Sequence, residues 1–239
     1  MSDTPDPLWR DLGLLRGELD RVDNAIHDLL VERASIVRVV AALRAQGKVA
    51  LRPGREASII ARLMARDHGA MPKASVARIW REILAGSLSM QTEFAVAVAD
   101  PALCALAREH FGALTPVHEH GSIAAALEEL HNGSVTVALL PWPGPLDPGL
   151  LDGLHVVARL PFWRNRPAGT PMGEALVIAT TAPDPSGNDC SLVAIPGDHG
   201  ASIEEIDDFL TLDDPRLAAL GPGAILLGAY AVPDFGDPS

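Results

Sequence analysis

Apolar residues in the first part of the chain recur at helical spacing. Leu15, Leu19, Val22, Ile26 and Leu29 follow one another at alternating steps of four and three, with polar positions between them. This is the period of a helix-packing seam, and no proline interrupts it. The pattern predicts one helix from Pro7 to about Gly47. Forty residues would make about 60 Å of helix, too long for a small monomer to cover, so a partner chain is the expected cover. A polar linker over 46–53 leads to a second helix from Gly54 to about Asp67, with the stripe Ile59, Ile60, Leu63, Met64 and a stop at His68-Gly69. Pro72 opens a third helix that runs to about Gln91, with Val76, Ile79, Trp80, Ile83 and Leu84 turned inward.

Beyond Thr92 the period changes. Short β-rich runs lie at Phe94–Ala99, Val135–Leu140, His155–Leu160, Glu174–Thr180, Ser191–Ile195 and Ala224–Val232. Helical patterns lie at Ala102–His110, Ser122–His131 and Ser202–Leu210. The expected architecture is therefore an all-α three-helix domain over 1–92 and an α/β (α+β) domain over 93–239.

Charge supports the same boundary. The formal net charge is −12. Residues 1–92 hold 14 Lys/Arg against 11 Asp/Glu, whereas residues 93–239 hold 5 against 20. The acidic part argues against nucleic acid or an anionic membrane as partner. No apolar run reaches the ~18–20 residues of a membrane span. The first ten residues, with Asp3, Asp6 and a single Arg10, lack the basic start of a secretory signal, so a soluble cytoplasmic protein is expected. Cys104 and Cys190 are too few for a disulfide framework, and His110, His118, His120 and His131 have no metal-ligand spacing. No metal and no cofactor is expected.

Continuing the first seam past Leu29 lands on Arg33 and, three turns further, on Arg44. Each arginine could lay its stem along apolar surface with its head in water, or pair with a structural carboxylate. Two on one seam, with few acidic neighbours, favour an anionic ligand as counter-charge. On the third helix Ile83, Ser87 and Gln91 follow at steps of four, so a hydroxyl and an amide extend the buried stripe. Arg55 and Glu56 stand one turn before Ile59 and Ile60. Together these residues would bind and orient a polyanion, since they include no nucleophile–base pair and no glycine-rich phosphate loop.

These pieces resemble the all-helical chorismate mutase family. They are Leu15-Arg16-Gly17-Glu18-Leu19-Asp20-Arg21-Val22-Asp23, Leu29-Leu30-Val31-Glu32-Arg33, Pro53-Gly54-Arg55-Glu56, and Ile79-Trp80-Arg81-Glu82-Ile83 followed by Ser87 and Gln91, in the family's order across residues 12–91. The resemblance implies an intertwined homodimer of three-helix protomers and a cofactor-free rearrangement of the dianion chorismate to prephenate, in aromatic amino-acid biosynthesis. It implies that Arg33 and, from the partner protomer, Arg16 grip carboxylates and that Arg55 lies at the pocket wall. Glu56 would accept the substrate hydroxyl, Gln91 would donate to the ether oxygen, and Ser87 would help hold a carboxylate. Arg44 stands where the family has a Lys that contacts ether oxygen and carboxylate, an exchange that is not conservative at a tight site. Arg52 stands where the family often has an Asp.

Residues 94–230 are distantly similar to the prephenate dehydratase half of bifunctional mutase–dehydratases, through Ala124–Pro141, Glu174–Thr180 and Cys190–Ile195. Where that family has a Thr-Arg-Phe triplet, this chain has Gly173-Glu174-Ala175, so dehydration is not expected. Two further readings stay open: an isochorismate pyruvate-lyase, and a non-catalytic subunit that binds chorismate or prephenate.

Overall fold

The computed structural model describes residues 12–43, 51–144, 146–162, 173–197 and 200–233. The chain divides into two compact units, 1–48 and 49–239. A helical N-terminal region, Leu12 to Ser89, precedes a C-terminal region built on a mixed sheet.

Among the described residues the first unit is one helix, α1 (Leu12–Leu43), and no residue of that helix is buried. Its seam is exposed, with Leu19 at 63 % and Leu29 at 64 %. The expected ends of this helix, 7–11 and 44–47, lie outside the described residues.

In the second unit, α2 (Pro53–Met64) and α3 (Lys73–Ser89) pack through Ile60, Leu63 and Met64 against Ala77 and Leu84, with Trp80 alongside. The stripe expected on α2 is the one observed. On α3 the buried face is Ala77, Arg81, Leu84, Ser87 and Leu88, whereas Ile79 is exposed. The inward stripe expected through Ile79 is thus corrected. A second stripe, 77-81-84-88, has the same period, and Leu88 joins the core beneath the sheet. That stripe carries an arginine into the interior.

The sheet has eight strands in the order β2-β1-β3-β5-β4-β8-β6-β7. They are β1 (Val96–Val98), β2 (Val117–Glu119), β3 (Val137–Trp142), β4 (His155–Leu160), β5 (Glu174–Ala179), β6 (Asp189–Ile195), β7 (Ser202–Asp207) and β8 (Ile225–Ala231). The first three are parallel, linked by α4 (Cys104–Phe111) and α5 (Ile123–His131), as parallel pairing requires a crossover. A short helix, α6 (Pro215–Ala219), precedes β8. Alternate residues of β1 and β3 enter different cores. Val96, Val98, Val137 and Leu139 lie on one side of the sheet, and Ala97, Ala99, Ala138 and Leu140 on the other. Burial on both faces explains why these strands read as continuous apolar runs. Gly228, at φ 141°, lies against Val156 where β4 meets β8, and a Cβ there would collide with the Val156 backbone.

The helix expected over Ser202–Leu210 is a strand at the sheet edge. Ile203, Ile206 and Leu210 recur at helical spacing, but β7 pairs with the whole free edge of β6, from Cys190↔Asp207 to Ile195↔Ser202. A six-pair ladder outweighs a local period. Both cysteines are buried and free. No helix among the described residues is long and apolar enough to cross a membrane.

Candidate functional site

The start of α2 is held from the sheet region. Arg52, at the N-cap position, makes no side-chain cap of its own, and Pro53 fills the first turn. Asp184, in the loop after β5, takes over. Its Oδ1 accepts from the Gly54 N–H at 3.0 Å, and its Oδ2 accepts from the Arg55 N–H at 3.2 Å and from Arg52 Nε at 2.9 Å. A carboxylate here satisfies helix donors that otherwise lack partners and faces the positive end of the helix dipole. The approach is close enough that a Cβ on Gly54 would overlap the Asp184 carbonyl oxygen.

One turn on, Glu56 meets Arg81 of α3. Arg81 Nη1 donates to Glu56 Oε2 at 3.4 Å, with side-chain exposures of 10 % and 18 %. The Arg81 guanidinium carbon lies 4.2 Å from the centre of the Phe162 ring, a cation–π contact. Arg81 Nη1 is also 3.5 Å from His110 Nε2, on α4. Burial pushes the Arg81 pKa down, to about 10, with Glu56 opposing. Burial pushes the Glu56 carboxyl up, against the pull of Arg81 and with the nearby Asp184 charge adding to the rise. Glu56, Arg81, His110, Arg159 and Phe162 line a crevice of about 10 Å³, room for about one water and none for an organic substrate.

At the far end of α3, Ser87 is buried and its Oγ donates to the Ile83 carbonyl at 2.6 Å. Gln91 Nε2 donates to the Ser87 carbonyl at 2.7 Å. This leaves Gln91 Oε1 buried with no hydrogen-bond donor among the described residues, a costly condition for an amide oxygen. Arg55 is exposed. On α1, Arg16 is exposed and Arg33 is half-buried, its pKa lowered by partial desolvation. Arg44 lies outside the described residues.

The second unit thus joins Ser87 to Gln91, and pairs Glu56 with a residue to which the sequence reading assigned no part in the site. Arg81 was legible only as an arginine on the 77-81-84-88 stripe. Asp184 gave no signal, because its role depends on a contact 130 residues away in sequence. In the sheet region Glu174 opens β5 and accepts from Arg159 at 2.7 Å. The middle position of the dehydratase triplet, an arginine in that family, therefore carries a carboxylate engaged by a neighbouring strand. Among the described residues no group of three His, Cys, Asp or Glu is placed to hold a metal. His118 Nδ1 lies 2.8 Å from Glu129 Oε2.

The chain is similar to proteins named bifunctional chorismate mutase/prephenate dehydratase. The one from Stutzerimonas stutzeri is 30 % identical over 139 residues, covering 54 % of this chain and 38 % of the relative. The one from Pseudomonas aeruginosa is 29 % identical over the same extents. The one from Neisseria gonorrhoeae is 33 % identical over 86 residues, covering 36 % of this chain and 24 % of the relative. The chain therefore spans about two fifths of the length of the first relatives, or less of the third. The two longer matches necessarily run past residue 92 and into the sheet region. The family whose pattern fits the N-terminal stretch, residues 15–92 with most of α1 and all of α2 and α3, is chorismate mutase type II.

Proposed function

We propose that the protein is a cytoplasmic chorismate mutase that rearranges chorismate to prephenate and does not dehydrate the product. The observation that carries this reading is the match of residues 15–92 to chorismate mutase type II, over the stretch that contains every candidate residue. In this reaction one C–O bond breaks as one C–C bond forms within the same molecule. No group is transferred to the protein and no proton need move. Catalysis consists of holding the compact conformer and stabilising the charge that builds on the ether oxygen.

Arg16 and Arg33 would hold the two carboxylates, with Arg55 at the wall of the pocket and Ser87 supporting a carboxylate. Glu56 would accept the substrate hydroxyl, and Gln91 and Arg44 would serve the ether oxygen. The donor to the ether oxygen would be the second N–H of Gln91 Nε2, since its first is given to the Ser87 carbonyl. The exposed seam of α1 supports a homodimer in which a second copy covers it. Glu174, standing where the dehydratase triplet has its arginine, supports the absence of dehydration.

The test is an assay of purified protein with chorismate, following prephenate and phenylpyruvate. Prephenate alone is the expected product. Arg33→Ala is expected to lower kcat/KM at least about a hundredfold with the fold intact, the usual cost of removing a group that holds developing or substrate charge. Near-wild-type rates in that variant would refute the pocket assignment. The replacement of the family Lys by Arg44 favours a second reading, a chorismate-binding subunit without turnover. Calorimetric binding of chorismate with no product would establish that one, and Arg44→Lys would then be expected to restore turnover.

A further inference from the structure

Glu56 and Arg81 form a buried ion pair whose surroundings come from the sheet region as well as from the helices. Phe162, just after β4, stacks on the guanidinium at 4.2 Å, and His110 of α4 lies 3.5 Å from its Nη1. Asp184 fixes the first turn of α2, one turn before Glu56. A buried guanidinium with one carboxylate partner is costly unless that partner stays charged, and the same holds in reverse. The crevice beside the pair has room for about one water, so on that side the carboxylate is held by protein groups alone.

We infer that Arg81 is a positioning residue for Glu56, clamped by Phe162 so that it keeps the carboxylate anionic and in one orientation. The sheet region then sets the state of the one acidic group assigned to the mutase site. This inference rests on the mutase reading for its consequence, but the pairing can be measured without substrate. Four charged or titratable groups face Glu56 or its partner: Arg81 from α3, Asp184 from the loop after β5, Arg159 from β4 and His110 from α4. Of these, Arg81 is the cation bonded to the carboxylate.

The experiment is a carboxyl 13C NMR titration of the full chain, with Glu56→Gln to assign the signal, run beside the pH profile of kcat/KM. Arg81→Gln is expected to raise the Glu56 midpoint by about one pH unit or more, since a cation within ~4–6 Å lowers a carboxyl by that order. The acid limb of kcat/KM should rise with it, and Arg81→Lys should stay nearer to wild type in both. A Glu56 midpoint unchanged in folded Arg81→Gln overturns the inference. A midpoint that moves while the acid limb stays fixed overturns the role of Glu56 in the reaction and with it the positioning of a reactive group. Should Arg81→Gln not fold, Phe162→Leu keeps both charges and loosens the clamp. A smaller upward step is then expected, and no step is the overturning result. Absence of turnover in the wild-type protein would sink the mutase reading and leave the titration to decide the pairing.

Discussion

Asp184 replaces a helix cap that the local sequence does not provide. Arg52 stands at the N-cap position of α2 and its side chain, instead of capping, donates to the acid that does. Asp184→Ala removes three acceptor contacts at once, one of them to an exposed arginine that counts for little. The two backbone contacts make a loss of about 1–2 kcal/mol the expected outcome, the range for removing a good cap. Gly54→Ala should cost more, because the added methyl must push the Asp184 backbone away, an overpacking penalty of about 1–3 kcal/mol before the lost bonds are counted. Urea unfolding followed by the fluorescence of the tryptophans, among them Trp80 in the α2–α3 core, measures both. Equal stability of Gly54→Ala and wild type would mean that the loop is not seated on the helix.

Elements with a strong period of their own were legible before the structure. The α2 stripe and β4, with its ends at His155 and Leu160, stand where the pattern places them, because burial of one face or both dictates the residues. The strand β7 was misread, because its pairing partner lies elsewhere in the chain and overrides a helical spacing of isoleucines. Of the candidate residues, Ser87 was legible as a polar intrusion into a buried stripe. Arg81 was missed as an interior residue because two stripes of equal period run along α3, and only tertiary packing chooses between them. The short α6 was missed for a related reason: five residues are too few to show a period. It packs Leu217 against Val193 and Leu210 and carries a side-chain cap. The side chain of Asp214 accepts from the side chain of Arg216 and from its backbone N–H, and these bonds hold the carboxyl down at about 2 against an ordinary 3.8. A depressed acid stabilises the fold above its unfolded value and loses that contribution as pH falls through the folded one. Asp214→Ala should therefore be less stable than wild type above pH 3.8, with the gap closing as the pH is lowered toward about 2. Denaturant midpoints of both proteins at several acid pH values measure this, and a gap independent of pH would assign the effect to something other than the carboxylate.

For the molecule as a whole, the apolar seam of α1 sets the expected assembly. A 32-residue helix with no buried residue is marginal in water on propensity alone, and most helical stability comes from packing an apolar face. Val22, Ile26 and Leu29, the apolar seam, are between 41 % and 64 % exposed. A second copy would present the same seam, and two-fold association is the commonest way for a chain to bury one. The prediction is a dimer by light scattering at micromolar concentration, with a thermal midpoint that rises with protein concentration as coupled folding and association require. Ile26→Glu places a charge in the middle of the seam and should give a monomer that loses helical circular dichroism. The α2–α3 core should survive in that variant, because Ile60, Leu63, Met64, Ala77 and Leu84 pack on one another within the second unit. Activity should disappear with the dimer if Arg16 acts from the partner protomer. A monomeric wild-type protein that turns over chorismate would instead place every group the reaction needs within one chain, and would leave the exposed seam without a role in catalysis.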